Sequence, residues 1–121
     1  MSDGKNIIKE SSFLLAKRII KLYKHLTENK KEFIMSKQLL RSGTGVGALV
    51  REAQNAESKA DFIHKLGIAQ KECDETLYWL ELLYASDYMI ENEFVSMQKD
   101  SSDLLKMIRS AIITSKQKNN S

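Results

Sequence analysis

The stretch of residues 38–56 keeps a helical spacing of small and apolar residues while placing glycine at three alternate positions. Intervals of three and four residues form the heptad seam of a helix packed along another helix. The seam consists of Leu39, Ser42, Val46, Leu49, Ala53 and Ala56. Glycine costs a helix about 1 kcal/mol relative to alanine, so Gly43, Gly45 and Gly47 indicate that a neighbouring helix approaches closely. The stretch predicts a tightly packed second helix of a bundle.

A glycine-rich phosphate-binding loop is the alternative interpretation of residues 43–47. Such a loop follows a strand, and in a P-loop it ends in Gly-Lys-Ser or Gly-Lys-Thr. Neither feature is present, and helical seams flank the glycines on both sides. We therefore favour close helix packing over phosphate binding.

Three further helical patterns fill the rest of the chain, which contains no proline. Together they predict helices over about 7–27, 30–56, 59–85 and 91–115. Short connections favour an all-α, antiparallel up-down-up-down four-helix bundle that forms one domain over residues 1–121. The predicted seams are Ile8, Leu15, Ile19, Leu22 and Leu26 in the first helix; Phe62, Leu66, Ala69, Cys73, Thr76, Leu80 and Leu83 in the third; and Phe94, Met97, Ser101, Leu104, Ile108 and Ala111 in the fourth.

Two helix starts carry capping signals. Asn29 followed by Glu32 resembles a capping box and places the start of the second helix near Lys30. Ser58 followed by Asp61 is a clearer signal for the third helix.

The third helix loses its amphipathic pattern near its end, where apolar residues cover every side. Four helices of this length cannot enclose one of their own members completely, and bare apolar side chains there would form an exposed patch. The pattern therefore predicts a homo-oligomer whose interface includes Tyr78, Trp79 and Leu82.

The charge of the chain is unevenly distributed. The formal net charge is +3, with +5 on residues 1–57 and −2 on residues 58–121. Basic residues of the first two helices form a candidate nucleic-acid-binding surface: Lys17, Arg18, Lys21, Lys24, Lys37, Arg41 and Arg51. Few aromatic residues accompany them, so we expect phosphate contacts without base stacking, and binding that is largely independent of sequence. The alternative is a solvated helix face, paired with Glu72, Glu75 and Glu81 of the third helix across a subunit boundary.

Candidate catalytic and metal sites are poorly supported. A bundle metal site needs Glu-x-x-His on two helices, and Asp61-x-x-His64 is the only near match. Cys73 lies on the core seam, where a thiol is a small hydrophobe rather than a nucleophile. We predict no enzymatic activity, no cofactor and no metal. The single cysteine, the absence of an apolar leader and the absence of a membrane-length apolar run predict a cytoplasmic protein without membrane contact.

Several motifs together resemble one known family. They are QLLRS at residues 38–42, the small residues 43–48, REA at 51–53, ADFIHKL at 60–66, and KE at 71–72 leading into YWL at 78–80. The chain resembles the four-helix-bundle proteins encoded within intervening sequences of bacterial 23S rRNA genes, also called the S23 ribosomal protein type, over about residues 13–89. The resemblance implies a barrel-like homopentamer without established enzymatic activity. It also implies a relationship to the basic accessory protein that binds nucleic acid and the reverse transcriptase of diversity-generating retroelements.

These observations favour a cytoplasmic, non-enzymatic homo-oligomer, pentameric by resemblance. We expect its basic surface to bind RNA or DNA, or an RNA-associated protein such as a reverse transcriptase. The alternatives are a protein-interaction scaffold without nucleic-acid affinity and, less favoured, a bundle that binds a small molecule or a metal.

Overall fold

Four helices make up almost all of the computed structural model, which describes residues 4–119 and the side chains of residues 7–118. They are α1 (Gly4–Glu28), α2 (Met35–Gln54), α3 (Lys59–Ala85) and α4 (Glu91–Asn119). Residues 4–119 contain no strand, which confirms the predicted all-α class. Among these four helices, none has the length and apolar character that a membrane span requires.

Each helix packs against two others, so the four form a bundle around one core. α2 lies between α1 and α3, and α4 closes the arrangement by contacting α3 and α1. Ile19 of α1 lies against Gly43 of α2, and Ser12 lies near Gly47. Across the other side of the bundle, the Cys73 thiol of α3 donates to the Ser101 carbonyl oxygen of α4 at 3.4 Å.

The predicted seams account for most of the core. All five seam residues of α1 are buried, as are six of seven in α3 and five of six in α4; Phe62 and Ala111 are partly buried. In α2 the prediction is wrong at two positions. Val50 is buried while Leu49 is only partly buried, and Ala56 lies beyond the helix, which ends at Gln54 rather than at 56. Val50 follows Val46 by four residues, which keeps it on the core-facing side of the helix.

The predicted start of the second helix near Lys30 is wrong, since α2 begins at Met35. Asn29 is not an N-cap; its side-chain nitrogen lies 2.9 Å from the His25 Nδ1 atom, at the end of α1. Glu32 lies before α2 and accepts hydrogen bonds from backbone N–H groups of its beginning, so its carboxylate caps the helix from outside. The donors are the N–H groups of Ile34, Met35 and Ser36, at 3.1, 3.0 and 2.7 Å.

The other helix ends differ less from expectation. The Ser58 hydroxyl accepts a hydrogen bond from the Asp61 N–H at 3.0 Å, which confirms the cap of α3. α1 begins at Gly4 and ends at Glu28, slightly beyond the predicted 7–27. α4 continues to Asn119 rather than ending at 115, because its last residues are good helix formers and include two lysines that suit a helix C-terminus. The polar composition of residues 116–121 predicts fraying, but residues 116–119 belong to α4, and residues 120–121 lie outside the described residues.

The glycines of residues 43–47 lie inside α2, and none has a positive φ. Their N–H groups belong to a continuous helix, so this segment is not a phosphate-binding loop. Close packing is most pronounced at Gly43, where an added Cβ would lie 2.8 Å from Ile19 Cγ1. At Gly45 the nearest atom to such a Cβ is Glu72 Oε2 at 3.7 Å, which is an ordinary contact.

Candidate nucleic-acid interface

Phe13 of α1 is the centre of a cationic surface between α1 and α2. Its side chain is 52% exposed. The Lys17 Nζ atom lies 6.0 Å from the centroid of the ring, and the guanidinium carbon of Arg51 lies 5.7 Å from it. Both distances are within the range of cation–π attraction. The fold thus brings a predicted residue of α1 and one of α2 together around an exposed aromatic ring.

A shallow groove runs beside this ring. Small residues of the two helices form its floor, and two hollows of about 160 and 380 Å³ share Lys9, Phe13 and Arg51 in their linings. The small floor residues are Ser12, Ala16, Thr44, Gly47 and Ala48. Glu10 is the one carboxylate among the described lining residues. The groove therefore combines a low floor, an aromatic wall and an excess of positive charge.

Lys21 and Lys24 extend the cationic surface along α1. They follow Lys17 by four and seven residues, so the three ammonium groups lie along one side of the helix, and all three are exposed. Within the described part of the chain, no ion pair involves Lys17, Lys21, Lys24 or Arg51. Among the described residues, these four charges are therefore not paired with a carboxylate.

Lys37 is exposed but distant from Phe13. It lies in the first turn of α2, whereas Arg51 lies in the last, about 21 Å away along the helix axis. The fold does not bring Lys37 into the groove.

Arg18 and Arg41 are engaged in ion pairs. Arg18 Nη1 lies 2.7 Å from Asp100 Oδ2 of α4. Arg41 pairs with Glu72 at 3.0 Å and also with Glu75, both on α3. The hydrogen bond to Glu75 raises the pKa of the Arg41 guanidinium above its ordinary value, and the charges of both carboxylates act in the same direction against desolvation. The structure therefore separates these two arginines electrostatically from the uncompensated cations.

The predicted oligomer residues on α3 differ in exposure. Tyr78 is 54% exposed, whereas Trp79 and Leu82 are partly buried. The Trp79 indole N–H donates to Glu75 Oε2 at 2.9 Å, and its ring meets the Tyr78 ring edge-on, with centroids 4.9 Å apart. That hydrogen bond, followed by the interaction with Arg41, lowers the pKa of Glu75 despite desolvation. Tyr78 is the most accessible of the three side chains.

The sequence prediction missed Phe13, because this ring lies one helical turn before Lys17, the first lysine of the predicted surface. The signal was present, since Phe13 precedes Lys17 by four residues and therefore lies on the same side of α1. The contribution of Arg51 to this ring depends on the packing of α1 against α2 and has no local signature.

Other candidate sites are weaker. Among the described residues, no group of three His, Cys, Asp or Glu side chains could hold a metal ion. Asp61 accepts the Glu57 N–H at 3.3 Å and thus belongs to the start of α3. Cys73 is fully buried, and burial raises the pKa of its thiol to about 12. This thiol is therefore a core group rather than a nucleophile at neutral pH.

A cavity of about 700 Å³ lies at the end of the bundle opposite the α1–α2 connection. Its lining is mainly apolar and includes Ile8, Val50, Phe62, Leu66 and Met107, with Lys106 and Lys118 also contributing. This cavity leaves the small-molecule alternative open.

The fold and this surface define a four-helix-bundle protein with a cationic, partly aromatic face between its first two helices. The chain belongs to the 23S rRNA-intervening sequence protein family, which it matches over residues 4–110. It is also similar to a protein of unknown function from the S23 ribosomal protein family of Bacteroides thetaiotaomicron VPI-5482, whose crystal structure was determined at 1.70 Å resolution. The two chains are 49% identical, the match covers 91% of this chain and 98% of that one, and the TM-score is 0.90. Among curated proteins, none matches this chain.

Proposed function

We propose that this protein is a non-enzymatic, cytoplasmic homo-oligomer that binds nucleic acid through the face shared by α1 and α2. The observation that carries the proposal is the cluster of uncompensated cations around Phe13, with Lys17 and Arg51 at its centre and Lys21 and Lys24 beside it. Each ammonium or guanidinium group that meets a phosphate releases condensed counterions, which makes binding favourable and dependent on salt. Most phosphate contacts of this kind do not depend on base sequence.

The oligomer supports this function by repeating the cationic face. Tyr78 leaves apolar surface uncovered on α3, and covering it with another copy removes that surface from water. The implied assembly is a pentamer of up-down-up-down bundles. The helix contacts favour this topology. Gly43 of α2 contacts Ile19 of α1, and Gly47, one turn later in α2, lies near Ser12, which is earlier in α1; the two helices are therefore antiparallel. Five copies of one modest patch produce a much stronger field than a single copy.

Charge reversal tests the proposal. The variant Lys17→Glu/Lys21→Glu/Lys24→Glu reverses three uncompensated charges on α1, and we expect it to abolish retention of RNA and DNA in a filter-binding series at rising salt. The matched control, Lys59→Glu/Lys106→Glu/Lys116→Glu, makes the same change in net charge at exposed lysines of α3 and α4 and should retain most of the affinity. Sedimentation of both variants should give the particle mass of the wild type.

A wild-type protein that retains no nucleic acid at low salt would refute the proposal. Equal losses in the two triple variants would show a response to net charge rather than a surface on α1.

The second candidate is a protein-interaction scaffold without nucleic-acid affinity. It is favoured by the exposed apolar side chains beside the cations, since Leu14 is 59% exposed next to Phe13. Under this alternative, the α1 variant loses assembly or a protein client, while the wild type has no affinity for free nucleic acid.

A further inference from the structure

We infer that the groove beside Phe13 takes single-stranded nucleic acid, with one unpaired base stacked on the Phe13 ring. This inference rests on the proposed function and narrows its ligand from nucleic acid in general to strands with accessible base faces. It differs from the expectation drawn from the sequence, which included phosphate contacts only.

The first step is the exposure of the ring itself. About half of the Phe13 side chain faces solvent, on a helix whose core seam is already complete without it. Two cations, Lys17 and Arg51, lie 6.0 and 5.7 Å from the ring centroid, and the groove is also lined by Lys9 and by one carboxylate, Glu10. A surface that bound only the outside of a duplex would need the cations but not the ring, because bases in a duplex are stacked on one another.

The second step is the spacing of the cations along α1. Lys9 and Lys17 are four residues before and after Phe13, so each lies about 6 Å from it along the helix axis. A base stacked on the ring therefore has its two flanking phosphates within reach of an ammonium group on either side. Single-strand binding sites combine these elements, namely a cationic path for the backbone and an aromatic platform for a base.

Arg51 of α2 forms the side of the groove that lies opposite α1. Arg51 reaches the ring from α2, and its planar guanidinium can both stack on an aromatic face and donate two hydrogen bonds to one phosphate. The floor between the two walls carries no large side chain: it consists of Ala16, Thr44, Gly47 and Ala48, together with Ser12. A base that enters over these small residues takes the ring face near which the Arg51 guanidinium lies, and the displaced guanidinium meets the phosphate of that nucleotide. Every base can stack on an aromatic ring, so we expect the groove to prefer single strands over duplexes without preferring a particular base sequence.

The test compares one strand with its duplex on the oligomer as it exists. The probes are a fluorescently labelled RNA of about 16 nucleotides, at the upper end of single-strand site sizes, and the same strand annealed to its complement. Anisotropy is measured for the wild type, Phe13→Ala, Phe13→Tyr and Leu14→Ala. Leu14→Ala is the matched control, because Leu14 is an equally exposed neighbour on α1.

We expect Phe13→Ala to weaken single-strand binding about tenfold, as loss of one base–aromatic stack does, and to change duplex binding by less than about twofold. Phe13→Tyr retains an aromatic face and should restore single-strand affinity, and Leu14→Ala should bind both probes as the wild type does. Arg51→Gln should weaken single-strand binding and lower its salt dependence by about 0.7, the value for one phosphate contact.

Two failures can be told apart. If the wild type binds neither probe, the proposed function fails and this inference fails with it. If the wild type binds, but Phe13→Ala weakens both probes equally or neither, the stacking role is wrong while phosphate binding stands. A changed particle mass for Phe13→Ala in sedimentation would assign the ring to a subunit contact and would also overturn the inference.

Discussion

At Gly43 the absence of a side chain determines how closely α1 approaches α2. A Cβ there would lie 2.8 and 2.9 Å from two carbons of Ile19, which is fully buried and branched next to its backbone. We expect Gly43→Ala to lower the free energy of unfolding by about 1 kcal/mol, since overpacking of about 1–3 kcal/mol exceeds the gain in helix propensity of about 1 kcal/mol. Urea unfolding of the variant measures the difference.

Gly45→Ala is the control for that prediction. Its Cβ would make only an ordinary contact with Glu72, so the gain in helix propensity should raise stability by about 0.5–1 kcal/mol. Similar stabilisation by both alanines would show that Ile19 yields without cost.

Glu32 is a second single residue whose contribution to stability can be tested, because its carboxylate caps α2. Burial raises the pKa of this carboxyl, but hydrogen bonds from Ser36, Met35 and Ile34 outweigh it and hold the pKa below the ordinary 4.5. A carboxyl with a depressed folded-state pKa stabilises the protein above its unfolded-state pKa, and this contribution is lost as the pH falls through the folded-state value.

We therefore expect Glu32→Gln to cost about 1–2 kcal/mol at pH 7, because an amide has only one accepting oxygen: the hydrogen bonds that remain become neutral, and at least one N–H group loses its acceptor. The difference from the wild type should shrink as the pH falls below 4.5 and through the lower folded-state pKa, because the wild-type carboxyl then becomes neutral as well. Denaturant unfolding across this pH range measures it. The exposed Glu81→Gln should change little at any pH, and a constant deficit in Glu32→Gln would point to a steric cause.

At the scale of single helices, sequence patterns suffice where the determining contacts are local. The seams of α1 and α3 and the Ser58 cap were predictable because each depends on residues three or four positions apart. The start of α2 was not, because Glu32 caps it from outside the helix, in a connection where Lys31 adopts a left-handed conformation with φ of 56°.

The same distinction applies to the candidate site. The alignment of Lys17, Lys21 and Lys24 follows from helical spacing. The sequence indicated Glu72 and Glu75 as partners of the basic residues but placed the pairs across a subunit boundary, whereas the structure forms the Arg41 pairs within the subunit. The approach of Arg51 to Phe13 follows from the way α1 and α2 pack and has no signature in the neighbouring sequence.

The contribution of the α3 cap to the stability of the protein can be measured by substitution. Ser58→Ala removes the acceptor for the Asp61 N–H, and we expect a loss of about 1 kcal/mol in the free energy of unfolding. Ser96→Ala, at an exposed position within α4, should be neutral or slightly stabilising because alanine is the better helix former. Thermal and urea unfolding of the two variants provide the comparison. If both behave alike, the cap contributes nothing.

At the scale of the whole molecule, α3 and α4 each expose an apolar side chain that another copy of the chain could cover. Tyr78 and Val95 are both 54% exposed, on α3 and α4. If the α3 surface is the subunit interface, Tyr78→Asp places a charge in it, and we expect sedimentation to show a smaller particle. Val95→Asp should retain the wild-type mass. A smaller particle for Val95→Asp alone would move the interface to α4.

The isolation of Cys73 has a practical consequence. Its sulfur is sealed in the core with a pKa of about 12, so at neutral pH a negligible fraction is thiolate, and alkylating reagents have no path to it. The folded wild-type protein should therefore not react with thiol-specific dyes and cross-linkers. A single cysteine introduced on the surface of α1 or α3 can be tagged without first replacing the native one, and the native one becomes reactive only when the bundle opens.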